Sequence, residues 1–317
     1  MARYLLSLSL IAALLDAASA QNPPVEESFA FALIADMPYS PTDSVRFGRL
    51  VEEINRAEGL EWVIHVGDIK GGSSSCSDDL LQSRLEWFQQ FERPFILAPG
   101  DNDWTDCHRS GYQPLDRLAH VRALFFPRPG WTLGQHPMRV VTQGGTFPEH
   151  VRWTHGRTSF AVLHIVGSHN ATAKFEGRTR ANDEEVKSRT AAAIAWMRET
   201  FAQAAEQDHR AVFLIIHANP RFENRADESD GPYAAFLQAL EQEVIRFGLP
   251  VALAHGDSHY FRVDKPLRQA STGRRLTRFT RIEPFGTPDI HWLRVIVDPA
   301  ETEIFQVHTE IIEANLD

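Results

Sequence analysis

Five short polar segments of the chain carry aspartate and histidine side chains that could bind metal ions. Each segment follows an apolar run with the length and composition typical of a strand buried in a sheet. If these strands are parallel, their carboxyl ends lie at one edge of the sheet and bring the carboxylate and imidazole groups together there. Such a convergence is typical of a two-metal hydrolase site. The segments are 35–39, 67–70, 100–103, 217–220 and 255–259.

The elements that would position these segments alternate between strand and helix patterns in the first half of the chain. This alternation predicts a parallel sheet built from βαβ units. The predicted strands are 29–35, 61–66 and 94–98, and helical patterns lie between them at about 42–57 and 77–91.

The second half of the chain resumes the alternation. Its predicted elements are a strand at 158–166, a helix from about 183 to 206 capped by Asn182, a strand at 210–216, a helix at about 232–247 and a strand at 249–254. Residues 261–312 are rich in β-forming patterns. They predict a second sheet layer or antiparallel additions to the first sheet.

The length of 317 residues fits one large α/β domain, which we expect to span residues 21–317. Prolines and glycines are frequent between about residues 105 and 155 and predict a long irregular insertion there. Loops of this length are often lids or binding surfaces. The net charge of −10 argues against nucleic acid as a bulk electrostatic partner.

Residues 1–20 have the pattern of a signal peptide. Arg3 precedes an apolar stretch, and the small residues Ala18 and Ala20 flank Ser19 ahead of a cleavage point near Ala20. The alternative is a membrane anchor, but the stretch is shorter than the roughly 20 residues that span a bilayer. No later segment is long and apolar enough for a stable span. The sequence therefore predicts export to the periplasm or the medium.

Two cysteines, Cys76 and Cys107, follow two of the five polar segments. In an exported protein they could form a disulfide that ties the two adjoining loops together near the predicted site. The alternative is a pair of unrelated thiols, because sequence alone does not show that the two residues come within bonding reach.

The order of the five segments resembles that of the calcineurin-like metallophosphoesterase superfamily. That family carries the motifs D-x-H, G-D, G-N-H-D/E, a histidine at a strand end, and G-H-x-H. The resemblance covers about residues 29–300 and implies an α/β fold, a four-layer α/β/β/α sandwich. The matching positions in this chain are Asp36, Gly67-Asp68, Gly100-Asp101-Asn102-Asp103, His217 and Gly256-Asp257-Ser258-His259.

The resemblance implies two divalent metal ions as cofactors. Asp68 matches the family's bridging aspartate, which would hold the ions about 3.5–4 Å apart. The donor set is rich in oxygen, which favours manganese, iron or magnesium over zinc, and a single-ion site stays open. The implied ligands are Asp36, Asp68, Asp101, His217, Asp257 and His259.

Three positions depart from the family's letters. Pro38 and Asn102 stand where the family has histidines, and Asp257 replaces the first imidazole of the last motif. Asparagine cannot donate a proton to a leaving group as an imidazolium can. The sequence therefore predicts either a substrate with a good leaving group or another proton donor, such as His255 or His169.

Several polar residues are candidates for holding the substrate. Asn102 could hold a phosphate oxygen, although a shift of one residue in the third motif would make it a metal ligand in place of Asp101. Tyr39 could contact the substrate or act as a ligand. The candidate substrate-binding residues are Asn102, Tyr39, His169 and Arg221, and the candidate catalytic residues are Asn102 and His255.

These observations predict an exported, metal-dependent phosphoesterase with a phosphorylated small molecule as its substrate. The resemblance implies that it hydrolyses phosphate mono- or diesters through a metal-bridging hydroxide. The three departures from the family pattern motivate an alternative, a catalytically inactive metallophosphoesterase-like binding protein. No nucleophile elbow or P-loop pattern supports another hydrolase chemistry.

Overall fold

The computed structural model describes residues 28–224 and 231–316. The predicted signal peptide, residues 1–20, lies outside the described residues. Across these two ranges, no helix is both long enough and apolar enough to cross a bilayer.

The described chain forms 12 strands and 6 α-helices. The strands are β1 (Phe29–Ile34), β2 (Leu60–His65), β3 (Phe95–Leu97), β4 (Val141–Thr142), β5 (Val151–His155), β6 (Thr158–Val162), β7 (Ala211–Ile215), β8 (Val251–Ala254), β9 (Arg262–Asp264), β10 (Phe279–Glu283), β11 (Trp292–Val297) and β12 (Phe305–Glu310). The helices are α1 (Pro41–Arg56), α2 (Asp78–Phe88), α3 (Pro114–Phe125), α4 (Gly167–Ala171), α5 (Arg180–Glu206) and α6 (Ala234–Phe247).

The first sheet has five strands in the order β12-β11-β1-β2-β3. Strands β1, β2 and β3 are parallel and are connected by α1 and α2, which confirms the predicted βαβ units. Strands β11 and β12 join this sheet antiparallel, with Phe31 opposite Val295 in the β1–β11 pair. The end of the chain therefore returns to the sheet in which its first strand lies.

The second sheet has seven strands in the order β4-β5-β6-β7-β8-β10-β9. Its centre, β6-β7-β8-β10, is parallel, and β4, β5 and β9 are antiparallel strands at its edges. The β-rich segment near the end of the chain is thus divided between the two sheets.

The two sheets face each other across an apolar core, and alternate residues of each strand point to opposite faces. In β1, Phe31 and Leu33 point into the core between the sheets, where the Phe31 ring meets Phe213 of β7 at 5.1 Å. Ala32 and Ile34 point the other way, toward the helices α1–α3. A third cluster buries α5 and α6 against the second sheet. These layers confirm the predicted α/β/β/α sandwich.

The segment predicted to be an irregular insertion is more ordered than expected. It contains a 3₁₀ helix at Thr105–Ser110, helix α3 and the edge strands β4 and β5. Pro114 stands at the first position of α3, where its missing N–H costs no hydrogen bond. One of the prolines that suggested an irregular segment is thus the first residue of a helix. A count of prolines does not distinguish these two roles.

Helix α5 begins earlier than predicted. Its cap is Thr179, and Asn182 lies three residues later, where its side-chain oxygen accepts a hydrogen bond from the Thr179 backbone N–H at 2.9 Å. The prediction of Asn182 as the cap was therefore wrong. Threonine and asparagine both cap helices, and here Asn182 closes the capping box of Thr179 from the third helical position.

Candidate metal centre

All five polar segments lie at the carboxyl ends of parallel strands, as the sequence predicted. Asp36, Asp68 and Asp101 follow β1, β2 and β3 of the first sheet. His217 follows β7 and Asp257 follows β8 of the second sheet. Because the sheets face each other, these five side chains converge on one region between the layers.

His217 lies at the centre of this cluster. It is fully buried, and its Nε2 is 3.2 Å from Asp68 Oδ1 and 3.0 Å from Asp101 Oδ1. Two groups of three residues have possible ligand atoms within 4.8 Å of one another, and His217 belongs to both. One group is Asp36, Asp68 and His217, and the other is Asp101, His217 and Asp257. Buried carboxylate and imidazole groups in this arrangement could hold metal ions.

The imidazole of His217 is oriented by a backbone carbonyl. Its Nδ1 lies 2.8 Å from the Val66 carbonyl oxygen, which can only accept, so Nδ1 carries the proton. Among the described residues, neither Nε2 of His217 nor Oδ1 of Asp101 has a hydrogen-bond partner of good geometry, although both atoms are buried. Two buried lone-pair atoms that lie 3.0 Å apart with no proton between them fit a site for a cation.

Electrostatics also fit a cation site. Burial raises the pKa of the Asp36 carboxyl to about 7, although His217 and His259 act in the opposite direction. Burial likewise raises the pKa values of Asp68 and Asp257. Buried carboxylates resist ionisation unless positive charge lies close to them. Divalent ions are a source of that charge.

The Tyr39 hydroxyl lies among the aspartate and histidine side chains. It is 3.5 Å from Asp36 Oδ1, 3.2 Å from Asp68 Oδ2 and 3.2 Å from His259 Nε2. It also accepts a hydrogen bond from the Asn102 amide at 3.3 Å. The His259 ring is fixed from behind because its Nδ1 lies 2.7 Å from the Thr287 carbonyl oxygen. The structure thus brings Tyr39, Asn102 and His259 to the cluster.

In the third segment, Asp101 and Asn102 have different positions. The Asp101 carboxylate is part of the second group of three, whereas the Asn102 side chain points to Tyr39 and its backbone N–H donates to Asp68 Oδ1 at 2.9 Å. Asp103 accepts from the backbone N–H groups of Ile69 and Gly100 and so joins two loops. Asp103 therefore holds these two loops together and is not one of the grouped carboxylates.

Glycines form part of the wall around the carboxylates. A Cβ atom at Gly256 would lie 2.5 Å from Asp36 Oδ2, and one at Gly167 would lie 2.7 Å from Asp257 Oδ1. Neither position can carry a side chain without displacing a carboxylate. Gly256 belongs to a motif, but Gly167 lies far from any motif, and sequence reasoning missed it.

Four residues of the cluster have a left-handed backbone conformation, at Asp36, Asp68, Asp257 and His259, with φ angles of 53°, 56°, 75° and 58°. Residues other than glycine rarely adopt positive φ, and aspartate tolerates it better than most. Such conformations persist only where the surrounding structure enforces them, and they concentrate at functional sites. Their recurrence at these strand ends indicates that the backbone there is held in the conformation that places the four side chains in the cluster.

An open cavity of about 390 Å³ lies over the cluster. A larger surface cavity of about 590 Å³ lies elsewhere and is lined by Glu301 and Glu303 but by no aspartate or histidine, so the aspartate and histidine cluster opens only into the smaller of these two cavities. The smaller cavity is lined by Asp68, Gly72, Ser73, Asp101, Asn102, Asp106, Arg109, Ser168, Asp257 and His259.

Sequence reasoning missed Asp106, Arg109 and Ser168. The first two lie in the segment that was expected to be irregular, and the third lies in the left-handed turn of α4. The pair of cysteines could have indicated that residues near Cys107 lie at the site, because the disulfide ties the 3₁₀ helix to the loop after Asp68.

Three predicted site residues do not reach the cavity. His255 is fully buried and faces away from it, with Nδ1 2.8 Å from the Gly256 carbonyl oxygen and Nε2 3.7 Å from Glu283 Oε2. The side chains of His169 and Arg221 are exposed, and neither lines the cavity. The expectation that His255 donates a proton there is therefore corrected, because consecutive side chains at a strand end point in opposite directions.

Comparisons with known proteins extend only to the fold. No protein-family model matches the sequence, and no curated protein matches it. Among solved structures, PhoD is similar, with a TM-score of 0.50 and 12% identity over 89% of this chain and 68% of PhoD.

Two 5'-nucleotidase structures are similar at lower scores. A Staphylococcus aureus protein assigned as a 5'-nucleotidase has a TM-score of 0.48 and 12% identity over 92% of this chain. A 5'-nucleotidase from Candida albicans has a TM-score of 0.45 and 10% identity over 90% of this chain. This chain spans 56% and 52% of the lengths of those two chains. Together with the order of the strands and layers, the likeness to PhoD shows that the chain has the calcineurin-like metallophosphoesterase fold.

Proposed function

We propose that this protein is an exported, metal-dependent phosphoesterase that hydrolyses phosphate mono- or diesters of small molecules. The observation that carries the proposal is the cluster of buried carboxylates around His217, in two overlapping groups of three that could hold metal ions. The open cavity above them gives a substrate access. Divalent ions bound there would activate water and offset the negative charge of the phosphoryl group.

The carboxylates divide into two sets beside His217, whose Nε2 can bind one ion because Nδ1 carries the proton. Asp101 and Asp257 complete one ion position with His217. Asp36 and Asp68 are the carboxylates of the other, beside His259, whose Nε2 is 3.6 Å from Asp36 Oδ1. The six proposed ligands are Asp36, Asp68, Asp101, His217, Asp257 and His259, and their oxygen-rich set favours manganese, iron or magnesium over zinc.

Asn102 is the proposed contact for a phosphoryl oxygen on the side of the departing group. Its side chain lines the cavity, and its amide is oriented by the Tyr39 hydroxyl. An amide can donate a hydrogen bond to an oxygen but cannot supply a proton. We therefore propose substrates whose leaving group departs without protonation by the protein.

Export is supported by the disulfide between Cys76 and Cys107, since such bonds persist in oxidising compartments. Both cysteines are fully buried between the loops of the site, so the bond is shielded from solvent in the folded protein. Mass spectrometry of the mature protein from its native host tests this proposal. A mature chain that begins near Gln21 supports it, and an intact residue 1 contradicts it.

The main experiment compares metal content and hydrolysis in matched variants. The wild-type protein is purified, exposed to Mn²⁺ and assayed with 4-nitrophenyl phosphate and bis(4-nitrophenyl) phosphate. His217→Ala and Asp68→Asn should lose bound manganese and at least about 100-fold of kcat/KM, because each removes a donor to the ions. His136→Ala and Asp79→Asn replace exposed residues and should change neither quantity.

A second candidate function is that of a metal-loaded binding protein without catalysis. It is favoured by one observation, that no histidine other than His259 lines the cavity within the described residues. Manganese bound with no hydrolysis of either ester would support this second function and contradict the first.

A further inference from the structure

The cavity over the metal centre has one strongly cationic side chain at its rim. Within the described residues, Arg109 is the single arginine or lysine that lines the cavity. The floor is formed by carboxylates, including Asp68, Asp101 and Asp257. An exposed arginine is usually just solvated, so its support by neighbouring residues decides whether it forms a binding site.

Arg109 is held by a buried carboxylate. Its Nη1 lies 2.8 Å from Asp106 Oδ2, and the Asp106 side chain is only 2% exposed, whereas that of Arg109 is 44% exposed. The other oxygen of Asp106 accepts a hydrogen bond from Ser168 Oγ at 2.7 Å. Asp106 therefore anchors the guanidinium through Nη1, and within the described residues no other carboxylate pairs with Arg109, which lines the cavity.

The guanidinium and the Asn102 amide approach the same glycine. A Cβ atom at Gly72 would lie 2.7 Å from Arg109 Nη1 and 2.7 Å from Asn102 Oδ1. Both polar groups thus occupy one side of the cavity, and any side chain at Gly72 would displace them. The disulfide between Cys76 and Cys107 holds the Gly72 loop against the 3₁₀ helix that carries Arg109.

We infer that Arg109 binds a non-bridging phosphoryl oxygen and makes phosphate monoesters the preferred substrates. This inference rests on the proposed phosphoesterase function. A monoester has three non-bridging oxygens and carries up to two negative charges, whereas a diester has two such oxygens and one charge. With two oxygens directed to the ions, a monoester retains a third that a guanidinium can bind. Arg109 therefore contributes more to the binding of a monoester than to the binding of a diester.

The test compares Arg109→Gln and Arg109→Lys with a control, Arg56→Gln, which removes an exposed arginine from a surface ion pair with Glu52. The Mn²⁺-loaded proteins are assayed with the same monoester and diester. We expect Arg109→Gln to lower kcat/KM for the monoester by about 30- to 100-fold and for the diester by less than about 3-fold. Arg109→Lys should recover part of the loss, and Arg56→Gln should lose nothing.

A binding measurement separates this inference from the proposed function. Calorimetry with inorganic phosphate on the Mn²⁺-loaded proteins should show affinity weakened by at least about 10-fold in Arg109→Gln, with manganese content and melting temperature unchanged. Equal losses on both esters, unchanged phosphate affinity, or loss of manganese would each overturn the role of Arg109. A wild-type protein that binds phosphate but hydrolyses neither ester would refute the phosphoesterase function, and weakened phosphate binding in Arg109→Gln would still support the anion site.

Discussion

At the residue scale, the structure accounts for the most puzzling departure from the family pattern, Pro38. Proline offers no side-chain donor, but the next residue, Tyr39, brings its hydroxyl to within 3.5 Å of Asp36 Oδ1 and 3.2 Å of His259 Nε2. This position lies beside the group of three that contains Asp36 and Asp68. A hydroxyl there can replace the lost imidazole, either as a ligand or as a group that orients the ligands.

Tyr39→Phe is therefore expected to weaken one metal position. The ring, which meets His259 at 5.2 Å, is kept, and the hydroxyl alone is lost. We expect the affinity for one of two Mn²⁺ ions to fall by roughly 10- to 100-fold, which is the usual cost of losing a group that orients ligands. Titration calorimetry measures both affinities. Tyr112→Phe is the control, and equal affinities in wild type and Tyr39→Phe would show that the hydroxyl plays no part.

The residue types of the site could be read from the sequence, because each motif residue directly follows a buried strand. The orientation of single side chains could not. His255 precedes the motif glycine and was expected in the site, yet it bonds to the Gly256 carbonyl oxygen and faces Glu283. Gly167 could not be found from sequence, because it reaches the cavity only through the tertiary packing of α4. Arg109 could be placed near the site only through the pairing of its neighbour Cys107 with Cys76.

At the element scale, the rim of the cavity depends on a covalent connection between two loops. Cys76 and Cys107 are bonded across a sequence separation of 31 residues, and both are fully buried. The loop before Cys76 carries Gly72 and Ser73, and the 3₁₀ helix around Cys107 carries Asp106 and Arg109. Opening this bond should loosen the rim more than the floor, because the floor residues follow buried strands.

The double variant Cys76→Ser/Cys107→Ser tests this division. Closing a loop of this length is expected to contribute roughly 2–4 kcal/mol to the free energy of unfolding. Chemical denaturation should show that loss, and kcat/KM for the monoester should fall while manganese content stays near that of the wild type. Reductant should reproduce both effects in the wild type and have none on the double variant. Loss of manganese in parallel with activity would place the disulfide in the support of the floor instead.

At the scale of the whole molecule, the four layers could be predicted but the partners of the last strands could not. The continuous apolar runs of β1 and β7 predict strands buried on both faces, and the helices between successive strands predict parallel connections. Which sheet receives β10, β11 and β12 depends on contacts between residues far apart in sequence. In the structure β10 joins β8, whereas β11 crosses to the first sheet beside β1.

A buried polar cluster just beyond the end of β6 links the helical layers to the second sheet. His164, which follows β6, has its Nδ1 2.7 Å from Glu149 Oε1, and Arg122 of α3 binds the same carboxylate. Arg189 of α5 donates to the His164 carbonyl oxygen. Burial lowers the pKa of His164 to about 4. The hydrogen bond to Glu149 and its negative charge raise the pKa, but the positive charges of Arg189 and Arg122 lower it again, so the rise is too small to compensate for burial. His164 is therefore neutral in the folded protein at neutral pH.

This pKa makes the stability of the whole fold depend on pH. An unfolded histidine titrates near pH 6.5, so below that pH the unfolded chain binds a proton at residue 164 that the folded protein does not bind until about pH 4. The contribution of His164 to the free energy of unfolding should therefore be fully present above pH 6.5 and should fall by about 3 kcal/mol as the pH is lowered toward 4. His164→Gln removes the titrating group and should flatten this part of the profile, whatever its effect on absolute stability. Urea denaturation between pH 4 and 8 gives the slopes, with His136→Gln as the exposed control. Identical slopes in wild type and His164→Gln would mean that folding leaves the pKa of His164 unchanged. A wild-type stability that falls above pH 6.5 and is flat below it would instead indicate a protonated imidazole in an ion pair with Glu149.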